Sequence, residues 1–382
     1  MMRSKKSSIR LVMSVGNLTR ARQSYLPWVL IIACLVLSIH RYDAAEYISN
    51  MAEDVSQIVV NSKSTITGSV PEVKAPYESC KNSTDRTKEK QLKIAYVFLS
   101  SDNLSLWPVW EEYFSTCSSE MIDVIVHSVN PVNMSSMIPI FQLPTERTLN
   151  ESLRFSYDMV QATLNLYRSA LERACGKRDI KNCDPGMLPD FIHLLSDSCA
   201  PTRTCADVNT YLQDKQGKSF VERQLRWSSY HEETDSWDNY RKSSQWVTLT
   251  GKHALHMVLR EDKLHKKWSG FNKHNGKAPD EYLPATELSN WGLETHRKVL
   301  TFSWWQGERK GFDESLKKQG LAELNHKVDY SHPATFETSD YVKFLLANTP
   351  EYLFVRKVRG GEALHILLSN LQRGRECITA KF

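Results

Sequence analysis

The side chains that could do chemistry fall in a few short runs. Ser100-Ser-Asp-Asn103 and Ser196-Asp-Ser-Cys199 each close an apolar stretch, while Asp280-Glu281 and Arg356-Lys357 put like charges side by side. A carboxylate can accept a proton, and a basic pair can neutralise an anion. Seven tryptophans, at 227, 237, 246, 268, 291, 304 and 305, crowd one stretch. Indole faces stack on sugar rings, so as a group they lean toward carbohydrate, although each one singly reads as core. His253-Ala-Leu-His256 sets two imidazoles about one turn apart. On a lone helical stretch that is an ordinary packed or surface pair before it is a metal site. No G-x-G-x-x-G, Walker A, G-x-S-x-G or H-E-x-x-H occurs in the sequence. Nor does an Asp-x-Asp follow a strand, the usual device for holding the divalent ion of a sugar nucleotide. A site of that kind built without metal needs cationic side chains to neutralise a leaving diphosphate.

These residues must be positioned by something, and the apolar patterning says what. Lys93-Ile-Ala-Tyr-Val-Phe-Leu99 reads as a buried strand ending in the Ser100–Asn103 turn. A helical stretch with Trp107, Trp110 and Phe114 follows, then a second strand, Ile122–His127, closed by Ser128 and Asn130-Pro131. Met159, Val160, Leu164, Tyr167 and Leu171 share a helical face, with Gly176 as the stop. Phe191–Leu195 is a third strand, ending in Ser196–Pro201. Strands alternating with helices predict an α/β fold with a mainly parallel sheet. Ligands of such sheets bind beyond the carboxyl ends of the strands. The candidate rim is therefore Ser100–Asn103, His127-Ser128 and Ser196–Cys199.

Composition bounds the rest. At 382 residues, 41% hydrophobic and 24% charged, the chain can form a sizeable core. The formal charge of +5 is local: residues 1–25 carry six Lys/Arg and no acid, and residues 91–382 balance 36 against 36. A nucleic-acid surface on the body has no compositional support. Tyr25–Ile39 is uncharged and lies between that basic tail and Asp43. The predicted organisation is a cytoplasmic tail (1–25), an uncleaved signal-anchor helix (26–40), a polar stem (41–90) and a translocated body (91–382). A cleaved signal peptide is the alternative, with Asp43-Ala-Ala-Glu46 a poor cleavage site. Four sequons follow, at Asn82, Asn103, Asn133 and Asn150. Seven cysteines follow the apolar run, an odd number, so at least one of them stays free or pairs with another chain. Cys175 with Cys183, and Cys199 with Cys205, are close enough in sequence to bridge.

Seven blocks in order resemble the core-2/I-branching β-1,6-N-acetylglucosaminyltransferases (glycosyltransferase family 14), closest in pattern to the plant-type branch. The likeness spans nearly all of 92–370. Its blocks begin with Ile94–Leu99 together with Trp107–Phe114 and Ile125–Ser128. Leu195–Pro201 is similar to the family's Leu-Ser-x-x-Cys-x-Pro, and Arg241-Lys-Ser-Ser-Gln-Trp246 to its Arg-Lys-Gly-Ser-Gln-Trp. Asp280–Thr286, Thr301–Trp305, His332–Phe336 and Leu353–Val358 complete the series.

The resemblance implies a variant GT-A fold and an inverting transfer from a UDP-sugar to a glycan hydroxyl. It implies no divalent metal and no cofactor, and a type II location in the Golgi membrane. By motif, Glu281 would be the base, and Arg356 and Lys357 the diphosphate ligands, with Asp102, Ser196 and Asp197 on the donor side. Lys242, Ser244, Trp246 and Trp304 would face the acceptor. N-acetylglucosamine is the first expectation for the donor sugar. Xylose and glucuronic acid, which relatives transfer to proteoglycan or cell-wall acceptors, are the alternatives. An inactive lectin-like protein on the same fold is the rival of another class. Three departures stand out: Ser243 replaces the family Gly, Gly251 stands where the plant-type pattern has Arg, and Thr301–Trp305 lacks an Asp.

Overall fold

The computed structural model describes residues 91–379, except 101–102, 131–135, 137, 145–155, 177–178, 223, 226–228, 232–235, 239, 272–277, 306–309, 319 and 322–332. The predicted tail, anchor and stem, Asp102, and the sequons at Asn82, Asn133 and Asn150 lie outside the described residues. Among the described residues no helix is long and apolar enough to cross a membrane.

Seven strands form the central sheet. They are β1 (Ile94–Leu99), β2 (Ile122–His127), β3 (Ile140–Gln142), β4 (Phe191–Ser196), β6 (Ser219–Phe220), β11 (Thr248–Leu249) and β12 (Thr295–His296), in the order β12-β6-β11-β4-β1-β2-β3. All neighbours are parallel except β11, which runs against β4 and β6. The expected mainly parallel α/β sheet is therefore what the sequence forms. Alternation along β1 explains why every one of its positions is apolar. Ile94, Tyr96 and Phe98 enter one hydrophobic cluster, and Ala95 and Val97 enter the cluster on the other face.

The covering helices follow the expected pattern. Helix α1 (Trp107–Phe114) buries Trp107, Trp110 and Phe114. Helix α2 (Tyr157–Ala174) starts at Ser156, whose side chain accepts from the Asp158 N–H at 3.3 Å. Its inner face is Val160, Leu164, Tyr167 and Leu171, and Gly176, with φ 68°, follows its end. Met159 is only half-buried, at the margin of that stripe.

A three-stranded sheet lies beside the first. Strand β14 (Phe354–Arg356) runs parallel to β13 (Thr301–Ser303) and antiparallel to β5 (Ala200–Pro201). Because β5 follows the end of β4 directly, this small sheet brings Arg356 back to the rim of the large one.

Cysteine pairing differs in part from the short-range expectation. Cys175 bridges Cys183, but Cys205 bridges Cys117 across 88 residues. Cys199 is buried and free because its sulfur turns back on its own loop, 3.2 Å from the Ser196 N–H.

Candidate active site

Strand register builds the floor of the site. Leu99 pairs with both His127 and Ser196, so β1, β2 and β4 end level. The predicted rim is thus one continuous edge. Its turn after β4 is tightly held: Cys199 N–H donates to the Ser196 carbonyl at 3.1 Å, and the Trp110 indole donates to the Cys199 carbonyl at 3.1 Å. Ser196 Oγ lies 3.2 Å from both Ser198 Oγ and Cys199 Sγ. Burial pushes the Cys199 thiol up, with the Arg356 charge opposing.

The carboxylates arrive on a helix, α6 (Pro279–Asn290), whose first position is a proline with no amide proton to lose. Ala278 is its cap residue and supplies no side-chain bond. Asp280 is therefore not the helix cap that a carboxylate at a helix start suggests. It sits inside the first turn with 9% of its surface exposed, and its Oδ1 has no hydrogen-bond partner within the protein. Burial, then the Glu281 charge, pushes the Asp280 carboxyl up to about 7.

Glu281 points outward enough to meet Lys242 of β10 (Arg241–Lys242), with Nζ 3.3 Å from Oε2. Two other bonds clamp β10 to α6. The Ser243 N–H donates to the Glu281 carbonyl at 2.7 Å, and Thr286 Oγ1 accepts from the Arg241 N–H at 3.0 Å. The Arg-Lys-x-Ser-Gln-Trp and Asp-Glu…Thr blocks thus form one unit although some 40 residues separate them in sequence.

The cations close the ring. The Arg356 guanidinium lies over the Trp246 ring at 4.2 Å. Burial pulls that guanidinium down, and the neighbouring Cys199, Asp197 and Glu281 resist the shift. Arg356 is thereby coupled to the β4 rim and to α6 at once. Its Nε is buried with no partner in the protein. Lys357 is fixed by its main chain, accepting from the Phe336 N–H at 2.8 Å while Ala334 N–H donates to Trp304 at 2.8 Å.

Two of the expected acceptor residues are placed otherwise. Trp304 is 0% exposed and packs on Phe312 with centroids 5.3 Å apart, so no face is open to a sugar. Trp246 is 6% exposed and one face carries Arg356; it is a platform for the cation. Trp268 is also core, its indole bonded to Glu287 at 2.8 Å. Three tryptophans of the group, Trp246, Trp268 and Trp304, thus belong to the interior. Lys242 and Ser244 stay partly exposed beside Glu281, while Ser196 is buried and Asp197 half-buried at the rim. Sequence reasoning missed Tyr167 and Gln245, which line a cavity together with Asp280; Tyr167 carried only a core-face signal.

The departures divide by position. A Cβ at Gly251 would lie 2.4 Å from the Pro189 carbonyl, before the start of β4 and so at the end away from the rim. That residue is a packing requirement of this chain. Ser243 is different: it touches Glu281 directly, and its buried Oγ has no partner in the protein. His253 bonds Ser219 at 2.7 Å and His256 packs edge-on against Trp291, so each imidazole serves a separate contact.

Beside the rim of a mainly parallel sheet lie a carboxylate paired with a lysine and an arginine stacked on an indole, groups able to take up a proton and to balance an anion. The chain belongs to the Core-2/I-Branching enzyme family, whose profile matches residues 94–340, and is a glycosyltransferase. It is similar to the glycosyltransferase BC10 of Oryza sativa subsp. japonica, 23% identical over 320 residues that cover 72% of this chain and 76% of the relative. The family implies a nucleotide-sugar donor and a glycan acceptor.

Proposed function

We propose that the protein transfers a sugar, N-acetylglucosamine first among candidates, from a UDP-sugar to a glycan hydroxyl in one inverting displacement. The acceptor oxygen attacks the anomeric carbon as the bond to the diphosphate breaks, and Glu281 takes the hydroxyl proton. A hydroxyl is too weak an acid to give up that proton unaided at neutral pH. Charge then grows on the departing diphosphate, where Arg356 and Lys357 stabilise it in the role that a metal plays elsewhere. Lys242 orients Glu281, and Ser244 adjoins the acceptor. Asp197 and Ser196 line the donor side.

The observation that supports this reading is geometric: Lys242 stands 3.3 Å from Glu281, and Trp246, four residues after Lys242, carries the Arg356 guanidinium at 4.2 Å. Incubating the purified protein with UDP-N-acetylglucosamine, UDP-xylose and UDP-glucuronic acid, and reading UDP release, tests it. Release that survives excess EDTA is expected. Activity lost to EDTA and restored by manganese overturns the metal-free assignment. Silence with every donor removes the transferase mechanism itself.

We place the body in the Golgi lumen behind a type II anchor, on the strength of the charged tail, the apolar run and the sequons. Asn103 is exposed just after the β1 rim, and a shift in gel mobility on endoglycosidase treatment checks the assignment.

A further inference from the structure

Behind the first turn of α6 lies a small cavity of about 20 Å³. Three polar atoms from three separate elements have no hydrogen-bond partner within the protein: Asp280 Oδ1 on α6, Tyr167 Oη on α2, and Gln245 Nε2 after β10. All three residues line this one cavity. A buried polar atom left unpaired costs about 1–3 kcal/mol, so three such residues around one space call for a common partner. The volume suits one water molecule and excludes any sugar or nucleotide.

We infer that an ordered internal water bridges Asp280, Tyr167 and Gln245, and that this buried hub makes Asp280 the positioning residue of Glu281. The inference rests on Glu281 as the base and goes beyond it. A water has two protons and two lone pairs. It can accept from the Gln245 amide and the Tyr167 hydroxyl while donating to Asp280 Oδ1. Pro284, at the cavity wall, has no N–H to give the Asp280 carbonyl four residues earlier, which leaves this turn more dependent on other anchors. With the hub in place, Asp280 fixes the first turn against α2, and the adjoining Glu281 keeps its bearing on Lys242.

Burial also keeps the Asp280 carboxyl protonated until about pH 7. Below that, Glu281 has no second negative charge beside it. The titratable and charged groups around Asp280 are Glu281 on its own helix, Lys242 on β10 and Tyr167 on α2; α4 (Gly251–Val258) presents Met257 and β4 presents Leu194.

A high-resolution crystal structure of the protein, which needs no substrate, is expected to show a water within hydrogen-bond reach of all three atoms. A dry cavity overturns the hub. The positioning role is read from kcat against pH, using UDP release from UDP-N-acetylglucosamine. The unsubstituted protein should show an inflection near pH 7 that Asp280→Asn lacks. Tyr167→Phe, which deletes one hydroxyl, should displace the inflection and lower kcat roughly three- to tenfold with donor KM unchanged. Profiles that superimpose after scaling defeat the positioning role. If the unsubstituted protein releases no UDP from UDP-N-acetylglucosamine, UDP-xylose or UDP-glucuronic acid, the base assignment fails and the positioning role with it, whatever the cavity holds.

Discussion

The Lys242 ammonium stands 3.3 Å from the Glu281 carboxylate, across the junction of β10 and α6. Both side chains are partly exposed, at 23% and 28%, so the pair adds little to stability, about 1 kcal/mol at most. Its consequence is orientation. Glu281→Gln keeps the shape and removes the proton acceptor, so kcat should fall by about 10²–10⁴ with donor affinity almost unchanged. Lys242→Met should leave the melting curve in place and lower kcat roughly tenfold through misalignment. Turnover of Glu281→Gln within a few-fold of the parent removes Glu281 as the base.

Trp246 under Arg356 makes a prediction opposite to that of a sugar platform. If the indole serves the cation, Trp246→Leu loosens Arg356 and raises the KM for the UDP-sugar, leaving acceptor KM near its starting value. Arg356→Lys should act the same way, because an ammonium neither stacks like a guanidinium nor grips a phosphate with two parallel bonds. Initial rates with each substrate varied in turn separate the cases. A rise confined to acceptor KM returns Trp246 to the acceptor side.

How much of this was legible in the sequence depended on the range of the signal. The strands β1, β2 and β4 and their common rim follow from local apolar runs and turn residues, which need no tertiary information. The pairing of Cys117 with Cys205 does not, since 88 residues separate them and Cys199 lies nearer in sequence. Trp304 and Trp246 mislead for a related reason: an aromatic residue in a family block has the same letter whether it faces a sugar, a cation or the core. The β10–α6 clamp was likewise hidden. Only folding brings the Ser243 N–H to Glu281 and the Arg241 N–H to Thr286.

Ser243 offers a test of stability apart from catalysis. Its amide holds Glu281, a bond that any side chain permits, while its hydroxyl is buried without a partner in the protein. Removing an unpaired buried hydroxyl relieves a desolvation cost, so Ser243→Ala should gain about 1 kcal/mol. Calorimetry should show a rise of roughly 2 °C in Tm for a domain of this size. A fall in Tm means that the hydroxyl is satisfied in solution.

Asp280 links the site to pH through stability. Its folded carboxyl is pushed up to about 7 from an ordinary 3.8, chiefly by burial. Between those values the unfolded chain has released the proton and the folded one retains it. The unfolded state then binds fewer protons, and unfolding becomes easier as pH rises. At 1.36 kcal/mol per unit the cost at neutral pH approaches about 4 kcal/mol. Asp280→Asn cannot ionise, so it should be more stable than the parent at neutral pH, with the gap closing as pH falls toward 4. Denaturant titrations of both proteins across that range measure the gap directly. A gap that stays constant with pH would mean that Asp280 titrates like an exposed aspartate and has no buried hub to hold it.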